Sequence, residues 1–455
     1  MIKLLHFADV HLGIENYGTV DKRTGLHSRF SDFLKCFDYL VDYALDNRVD
    51  FVLFAGDAFK TRDPSPTYVR EFAKRIKKIA RAKIPVILLV GNHDLPNAIG
   101  KADTMEIYKT LEVDNVYVSK KPEILRFKRK NGVWQKENGL IQNPEKKTEI
   151  FHYSVSLSDT SQQFDKVLQI VTLPWLSKNS FVKREDYQSK TIEQIHQMMT
   201  DKLIETVDEL AQQINPNLPA VLLGHLTLAS AKFGSEQKVH IGSDAILPLD
   251  VLINKPWNYV ALGHLHRFQV LAKNPPVIYS GSIERVDFGE EKEDKGFVML
   301  SLNTNIFSSI KNQNASLKKN TVSIKTNYKF IPTPARKFVT IKVQLSEEDK
   351  FCNQKILNEI KRHDIKDAIV RLIVEIPQNL IEDLCKTEIR KALVDAYFIA
   401  GINFEIIQSV REKSIANIES LSIIEALEKY LQSKKVDKKR IEELKAYTRK
   451  LIEQE

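Results

Sequence analysis

A chain of 455 residues with 43% hydrophobic and 28% charged content can bury more than one core, which excludes a peptide, a collagen or a disordered tail and points to two or three domains. Its 68 Lys and Arg against 59 Asp and Glu leave a net charge of +9, which suits a polyanionic partner and describes a merely soluble basic protein equally well. Three scattered cysteines, Cys36, Cys352 and Cys385, build neither a disulfide framework nor a zinc knuckle, so a reducing, cytoplasmic setting is expected. Charge interrupts the first residues too early for a secretory segment, and the longest apolar runs are of strand length, so neither export nor a membrane span is expected.

Short apolar runs alternate with amphipathic helices through the first third, the pattern of a layered α/β architecture. Lys3 to Ala8, Phe51 to Ala55 and Val86 to Val90 read as strands. Between them, Phe30, Phe33, Phe37, Leu40 and Val41 recur at helical spacing, as do Val69, Phe72, Ile76 and Ile79. The second of these helices also carries Arg70, Lys74, Arg75, Lys77, Lys78 and Arg81, a solvated face or a DNA contact. Residues 120 to 150 break the rhythm with many cations around Asn131-Gly132, which reads as a basic hairpin or long surface loop. A helix near Ile192 to Ile214 follows, then strands at Ala220 to Leu223, Tyr259 to Leu262, Val277 to Tyr279 and Gly296 to Leu302.

The stretch 303–335 is rich in Asn, Ser and Thr and reads as a linker or an extended edge strand wrapping the first domain, 1–302. From 336 to 411 the pattern restarts as a small α+β module: strand Phe338 to Val343, helix Cys352 to Lys361, strand Ala368 to Ile376, helix Leu380 to Leu393 and strand Asn403 to Ile407. Within 412–455, Ser420 to Leu431 and Asp437 to Ile452 read as two amphipathic helices that either dock on their own domain or await a partner helix.

Five short motifs stand where apolar strands end: Asp9-Val-His11, Gly56-Asp57, Gly91-Asn92-His93-Asp94, Gly224-His225 and Gly263-His264-Leu-His266. Any one of them is weak, because a lone Gly-His after a strand is more often a satisfied histidine than a ligand. Together they are strong, since five of the 11 histidines fall in this context; His6, His27, His152, His196, His240 and His363 do not, and are read as structural. Asp, His and Asn without thiolates suit manganese, magnesium, iron or zinc. A carboxylate such as Asp57 can bridge two ions about 3.5–4 Å apart, the geometry that clamps both oxygens of an in-line displacement at phosphorus.

These blocks, in this order over roughly residues 1 to 300, resemble the calcineurin-like metallophosphoesterase superfamily, whose pattern is D-x-H, G-D, G-N-H-[DE], G-H and G-H-x-H. Phe7-Ala-Asp9-Val-His11-Leu-Gly13, Phe54-Ala-Gly-Asp57-Ala-Phe59, Tyr259 through Gln269, Tyr279 through Arg285, Phe288-Gly-Glu290 and Lys295-Gly-Phe297 are similar to its SbcD-type DNA repair exonucleases. The resemblance implies a four-layer β-sandwich flanked by helices, followed by an α+β DNA-capping domain and a helix pair that grips the coiled coil of an SbcC-like ABC-type ATPase. It implies two divalent ions, Mn2+ by preference, one held by Asp9, His11, Asp57 and His266 and the other by Asp57, Asn92, His225 and His264. His93 is then the non-ligand that steadies the phosphate and helps the leaving oxygen, with Asp94 orienting its ring. The implied reaction is 3′-5′ exonucleolytic cutting of duplex DNA and endonucleolytic cutting of single strands and hairpins, by a homodimer. Where many relatives carry His after G-D-x-F this chain has Lys60, which leaves the balance of the two activities open. The alternative is another metallophosphoesterase, acting on a small phosphodiester or a phosphoprotein; against it stand Ala58-Phe-Lys-Thr-Arg62 and Asp94-Leu-Pro96, unlike the phosphatase motifs.

Overall fold

In the computed structural model, residues 1–96, 101–137, 167–176, 190–234, 245–308, 320–407, 422–434 and 436–452 are described. Strands β1 (Ile2–Phe7), β2 (Phe51–Phe54), β3 (Val86–Leu89) and β4 (Val116–Ser119) lie side by side and parallel. They share a sheet with β14 (Gly296–Ser308) and β15 (Asn320–Pro332), in the order β15-β14-β1-β2-β3-β4. The second sheet runs β12-β13-β11-β8-β7-β5-β6, from β5 (Glu123–Lys130), β6 (Val133–Lys136), β7 (Val167–Leu173), β8 (Ala220–His225), β11 (Tyr259–Gly263), β12 (Gln269–Lys273) and β13 (Pro276–Tyr279). A short parallel pair, β9 (Thr227–Leu228) and β10 (Ile246–Leu247), stands apart.

Side chains alternate across a strand, so a strand buried on both faces reads as an unbroken apolar run. Leu5, Phe7, Val52, Phe54, Val86 and Leu88 point to a core shared with helices α1 (Ser28–Asp46) and α2 (Pro66–Arg81). Their neighbours Leu4, Phe51, Leu53, Ile87 and Leu89 point the other way and meet Leu168, Ile170, Val221, Leu223, Tyr259 and Ala261 of the second sheet. The far face of that sheet, with Val171, Leu222, Val260 and Leu262, packs on a helix that follows α3 (Glu106–Thr110), namely α4 (Ile192–Gln212), and on α5 (Asp250–Ile253). The result is the expected four layers, helix, sheet, sheet and helix.

The chain divides into two compact units, Met1–Phe338 and Val339–Glu455. Of the two readings of 303–335, linker or edge strand, the described residues follow the second: Gly296–Ser308 and Asn320–Pro332 pair antiparallel from Gly296↔Pro332 to Ser308↔Asn320, so the stretch is the sheet edge of the first unit. The basic hairpin forms β5 and β6 around Asn131 and Gly132, both at positive φ, which is what a tight two-residue turn needs; residues 138–150 lie outside the described residues. On α2 the cations partly face α1, where Arg75 meets Asp38 at 2.6 Å and Lys78 meets Asp42 at 2.5 Å.

The second unit holds a three-stranded sheet, β16 (Phe338–Gln344), β17 (Ile369–Pro377) and β18 (Phe398–Ile407), with α6 (Cys352–Lys361) and α7 (Lys386–Ala392) packed on one face. The single helix expected over Leu380 to Leu393 is broken. Leu384 turns into the core and the Cys385 amide donates to Asn353 Oδ1 on α6, so helix resumes only at Lys386. Helices α8 (Ile423–Ser433) and α9 (Lys438–Ile452) form the terminal hairpin, joined by a Lys445–Glu428 ion pair. No helix among the described residues is long and apolar enough to cross a membrane.

Candidate metal centre

All five motifs sit at the carboxyl ends of parallel strands, where α/β sheets open toward ligands. Asp9 and His11 follow β1, Asp57 follows β2, and Asn92, His93 and Asp94 follow β3, while His225 ends β8 and His264 and His266 follow β11. The loops are stitched by main-chain bonds, Asp9 N–H to Gly56 O at 3.0 Å and Val10 N–H to Asp57 O at 2.9 Å. Their backbone is strained: Asp9, His11, Asp57 and His264 all hold positive φ, at 52°, 46°, 61° and 99°. Two glycines are required by close approach, since a Cβ at Gly56 would strike His225 Nδ1 and one at Gly91 would strike the Asp57 carboxylate.

The expected ligands come together. Asp9, His11 and His266 offer donor atoms within 4.8 Å of one another, and so do Asp57, His225 and His264. Asp57 lies between the two ends, its Oδ2 3.7 Å from His11 Nε2 and 3.4 Å from His225 Nε2. Asn92 Oδ1 stands 2.9 Å from His225 Nε2 and 3.2 Å from His264 Nδ1, and the two Nε2 atoms of His11 and His266 are 2.9 Å apart. Trp175, after β7, covers this end with its ring 4.9 Å from that of His264.

A test of whether these residues suit cations lies in the outer nitrogens. His225 Nδ1 faces the Ala55 carbonyl at 2.6 Å; a carbonyl only accepts, so Nδ1 carries the hydrogen and Nε2 is aimed inward. Burial pushes Asp9 up to about 7, although His225 and His266 pull against it. Burial disfavours a charged His225, yet Asp57, Asp9 and the Ala55 carbonyl together outweigh it and raise the ring to about 9. Asp57 would rise on burial too, but His225 and then His11 hold it well below the usual carboxylate range. His11 goes the opposite way to His225, held well below its ordinary value by burial and then by His266, and the O and N donors together fit divalent cations.

His93 lies at the rim, partly exposed, with its ring 4.9 Å from that of His11 and its own donor atom grouped with those of His11 and Asp57. Its main-chain N–H donates to Asp57 Oδ1 at 2.9 Å. The expected pairing with Asp94 does not occur. Asp94 accepts from the amides of Asp57, Ala58 and Gly91 at 2.9, 3.0 and 2.9 Å, and His93 Nδ1 instead donates to the Lys60 carbonyl at 2.8 Å. The reason is geometric: three convergent amides capture the buried carboxylate before it can reach the ring. Glu290 was missed as a site residue although its motif was visible; it accepts from His266 Nδ1 at 2.8 Å. Trp175 was missed because Val167 to Leu173 ends in no Gly-His or Gly-Asp signal.

The calcineurin-like phosphoesterase family profile matches residues 2–268, which contain every one of these motifs, and the chain belongs to that family of phosphate-ester hydrolases. Among curated proteins it is similar to the D component of the nuclease SbcCD from Staphylococcus epidermidis, at 25% identity over 67% of both chains. It is similar as well to the corresponding SbcCD component of Escherichia coli K12, at 23% identity over 84% of both chains. The DNA double-strand break repair protein Mre11 of Thermoplasma acidophilum is 36% identical over a shorter stretch, 21% of this chain and 24% of its own.

Proposed function

We propose that this chain is the nuclease subunit of an SbcC–SbcD-like DNA repair complex, a cytoplasmic hydrolase of DNA phosphodiester bonds with two divalent cations, Mn2+ by preference. One cation is assigned to Asp9, His11, Asp57 and His266 and the other to Asp57, Asn92, His225 and His264. The observation that carries this reading is the convergence of these donors from five separated loops around Asp57, supported by similarity to two SbcD proteins over most of the chain.

When bound, the cations supply Lewis-acid polarisation of the phosphate and a more acidic attacking water. Asp57 offers one carboxylate to both. His93 would give the leaving oxygen a proton from Nε2 in the form that carries a hydrogen on both ring nitrogens, its Nδ1–H staying on the Lys60 carbonyl so that Nε2 faces substrate. Asp94 serves by bracing the loops that carry Asp57 and His93. Lys60, exposed on the loop that carries Asp57, we assign to contacting a DNA phosphate and so to setting the exonuclease to endonuclease balance.

The 336–411 module is assigned to DNA capping and 412–455 to the ATPase. What supports the second assignment is that Ile423, Tyr430, Tyr447 and Ile452 leave apolar surface exposed on the hairpin of α8 and α9. The test is incubation of the purified chain with end-labelled duplex, hairpin DNA and p-nitrophenyl mono- and diesters in Mn2+, Mg2+ and Zn2+. Shortening of duplexes from the 3′ end and nicking of hairpins in Mn2+ are expected. Preference for the monoester would overturn the nuclease reading in favour of a small-substrate phosphoesterase.

A further inference from the structure

Two imidazoles aimed into the site are held from behind by unlike partners. His225 rests on a neutral main-chain carbonyl, whereas His266 Nδ1 lies 2.8 Å from the Glu290 carboxylate. Glu290 is fully buried, and burying a carboxylate costs several kcal/mol unless it is paired. Its second oxygen is paired twice, by the Val286 N–H at 2.8 Å and by Lys295 Nζ at 2.9 Å. Lys295 is buried as well, and its ammonium has three acceptors for three protons: Glu290, Glu293 at 2.9 Å and the main-chain carbonyl of His266 at 2.9 Å. One ammonium thus grips the His266 main chain directly and its ring through Glu290.

The supporting turn is itself fixed. Asp287 accepts from the Gly289 N–H at 2.7 Å to start the 3-10 turn Phe288–Glu290, and the Phe288 ring packs against Tyr17 and Phe338 at 5.3 and 5.0 Å. A carboxylate only accepts, so it holds the His266 hydrogen on Nδ1 and turns the Nε2 lone pair toward His11 and Asp9. Lys295 Nζ and the Val286 N–H both donate to the second Glu290 oxygen, which leaves the first to accept from His266.

We infer that Glu290 and Lys295 form a positioning pair which fixes the His266 tautomer and thereby sets the affinity of the Asp9–His11–His266 end for its cation, unequally to the end served by His225. The inference rests on the assignment of these residues as cation ligands. It is tested by titrating the full chain with Mn2+ and counting free ion by electron paramagnetic resonance. Wild type is expected to bind two ions, and Glu290→Gln to bind one of them about 10–100-fold more weakly while the other is unchanged. Two ions bound by Glu290→Gln as tightly as by wild type would overturn the inference and leave the ligand assignment standing. A wild-type chain that binds no Mn2+ would overturn both. Should Glu290→Gln fail to fold, nitrogen-15 imidazole spectra of the zinc-loaded wild type decide: a hydrogen on His266 Nδ1 is expected, and one on Nε2 overturns the inference.

Discussion

Two of the polar clusters buried in the first unit are built on opposite plans. Beside α1, Arg29 pairs with Asp32 at 2.8 Å and with Glu284 at 3.6 Å, while Arg336 pairs with Asp32 and its main-chain N–H reaches Glu284 at 3.0 Å. Two cations meet two anions there, and the carrier backbone of Arg29 and Asp32 is ordinary helix. At the strand ends, Asp9 and Asp57 stand among imidazoles that point inward, on residues held at positive φ. A cluster that closes its own charge is structural; one that gathers surplus acceptors on strained loops is completed by something it binds.

Substitutions should separate these plans, and the largest effect belongs to the shared carboxylate. Asp57→Asn is expected to lose measurable Mn2+ binding at both ends together with all phosphodiester cleavage, while the chain still folds as judged by circular dichroism. Retention of one tight ion would show that the two ends are independent and that Asp57 bridges nothing. Next in size is His93→Ala, which should cut the rate of DNA cleavage by about 10²–10⁴-fold at saturating Mn2+ with the number of bound ions unchanged. An equal loss of ions would make His93 a ligand, as its grouping with His11 and Asp57 would allow.

The contrast also explains what could be read in advance. The donor set assigned to the cations was legible because its five motifs all stand at the ends of apolar strands and four of them carry a Gly. The layers were legible because strands buried on both faces leave continuous apolar runs. What supports the site from behind was not, since Glu290 reaches His266 across 24 residues and Lys60 reaches His93 through a main-chain carbonyl that any residue type would supply. The Arg29 cluster was hidden for the same reason: Asp32 and Arg336 are 304 residues apart, and nothing local to either marks the pairing. Asp94 was misread because a motif places a carboxylate near a ring without counting the amides that compete for it.

On the structural side of the comparison, Arg29→Met should cost stability without touching the ions. Arg29 is fully buried, and removing one partner of a buried pair typically costs about 3–5 kcal/mol because the other charge is stranded. A lower urea midpoint with Mn2+ stoichiometry unchanged per folded chain is the expected result. Lost ions in the folded fraction would mean that the two clusters are coupled.

The effect that is smallest near neutral pH, and the one with a definite pH signature, comes from a histidine that lies in the core and outside the cage. His6 is fully buried, hydrogen-bonded to the Tyr259 hydroxyl at 3.0 Å and the Leu262 carbonyl at 3.1 Å, and burial lowers its pKa from 6.5 to about 3 despite the Leu262 carbonyl. Between those two values the unfolded chain binds a proton that the folded chain refuses, so stability falls as pH drops below 6.5 and is unaffected by His6 above it. Near the lower value the loss approaches roughly 4 kcal/mol, at about 1.4 kcal/mol for each pH unit. His6→Gln keeps polar atoms at the same place but cannot titrate, so its unfolding free energy should depend less steeply on pH between 6 and 4 than that of wild type, by up to one proton. Parallel pH profiles for the two chains would mean that His6 is charged in the core, and would place it with the strand-end cluster instead of the packed one.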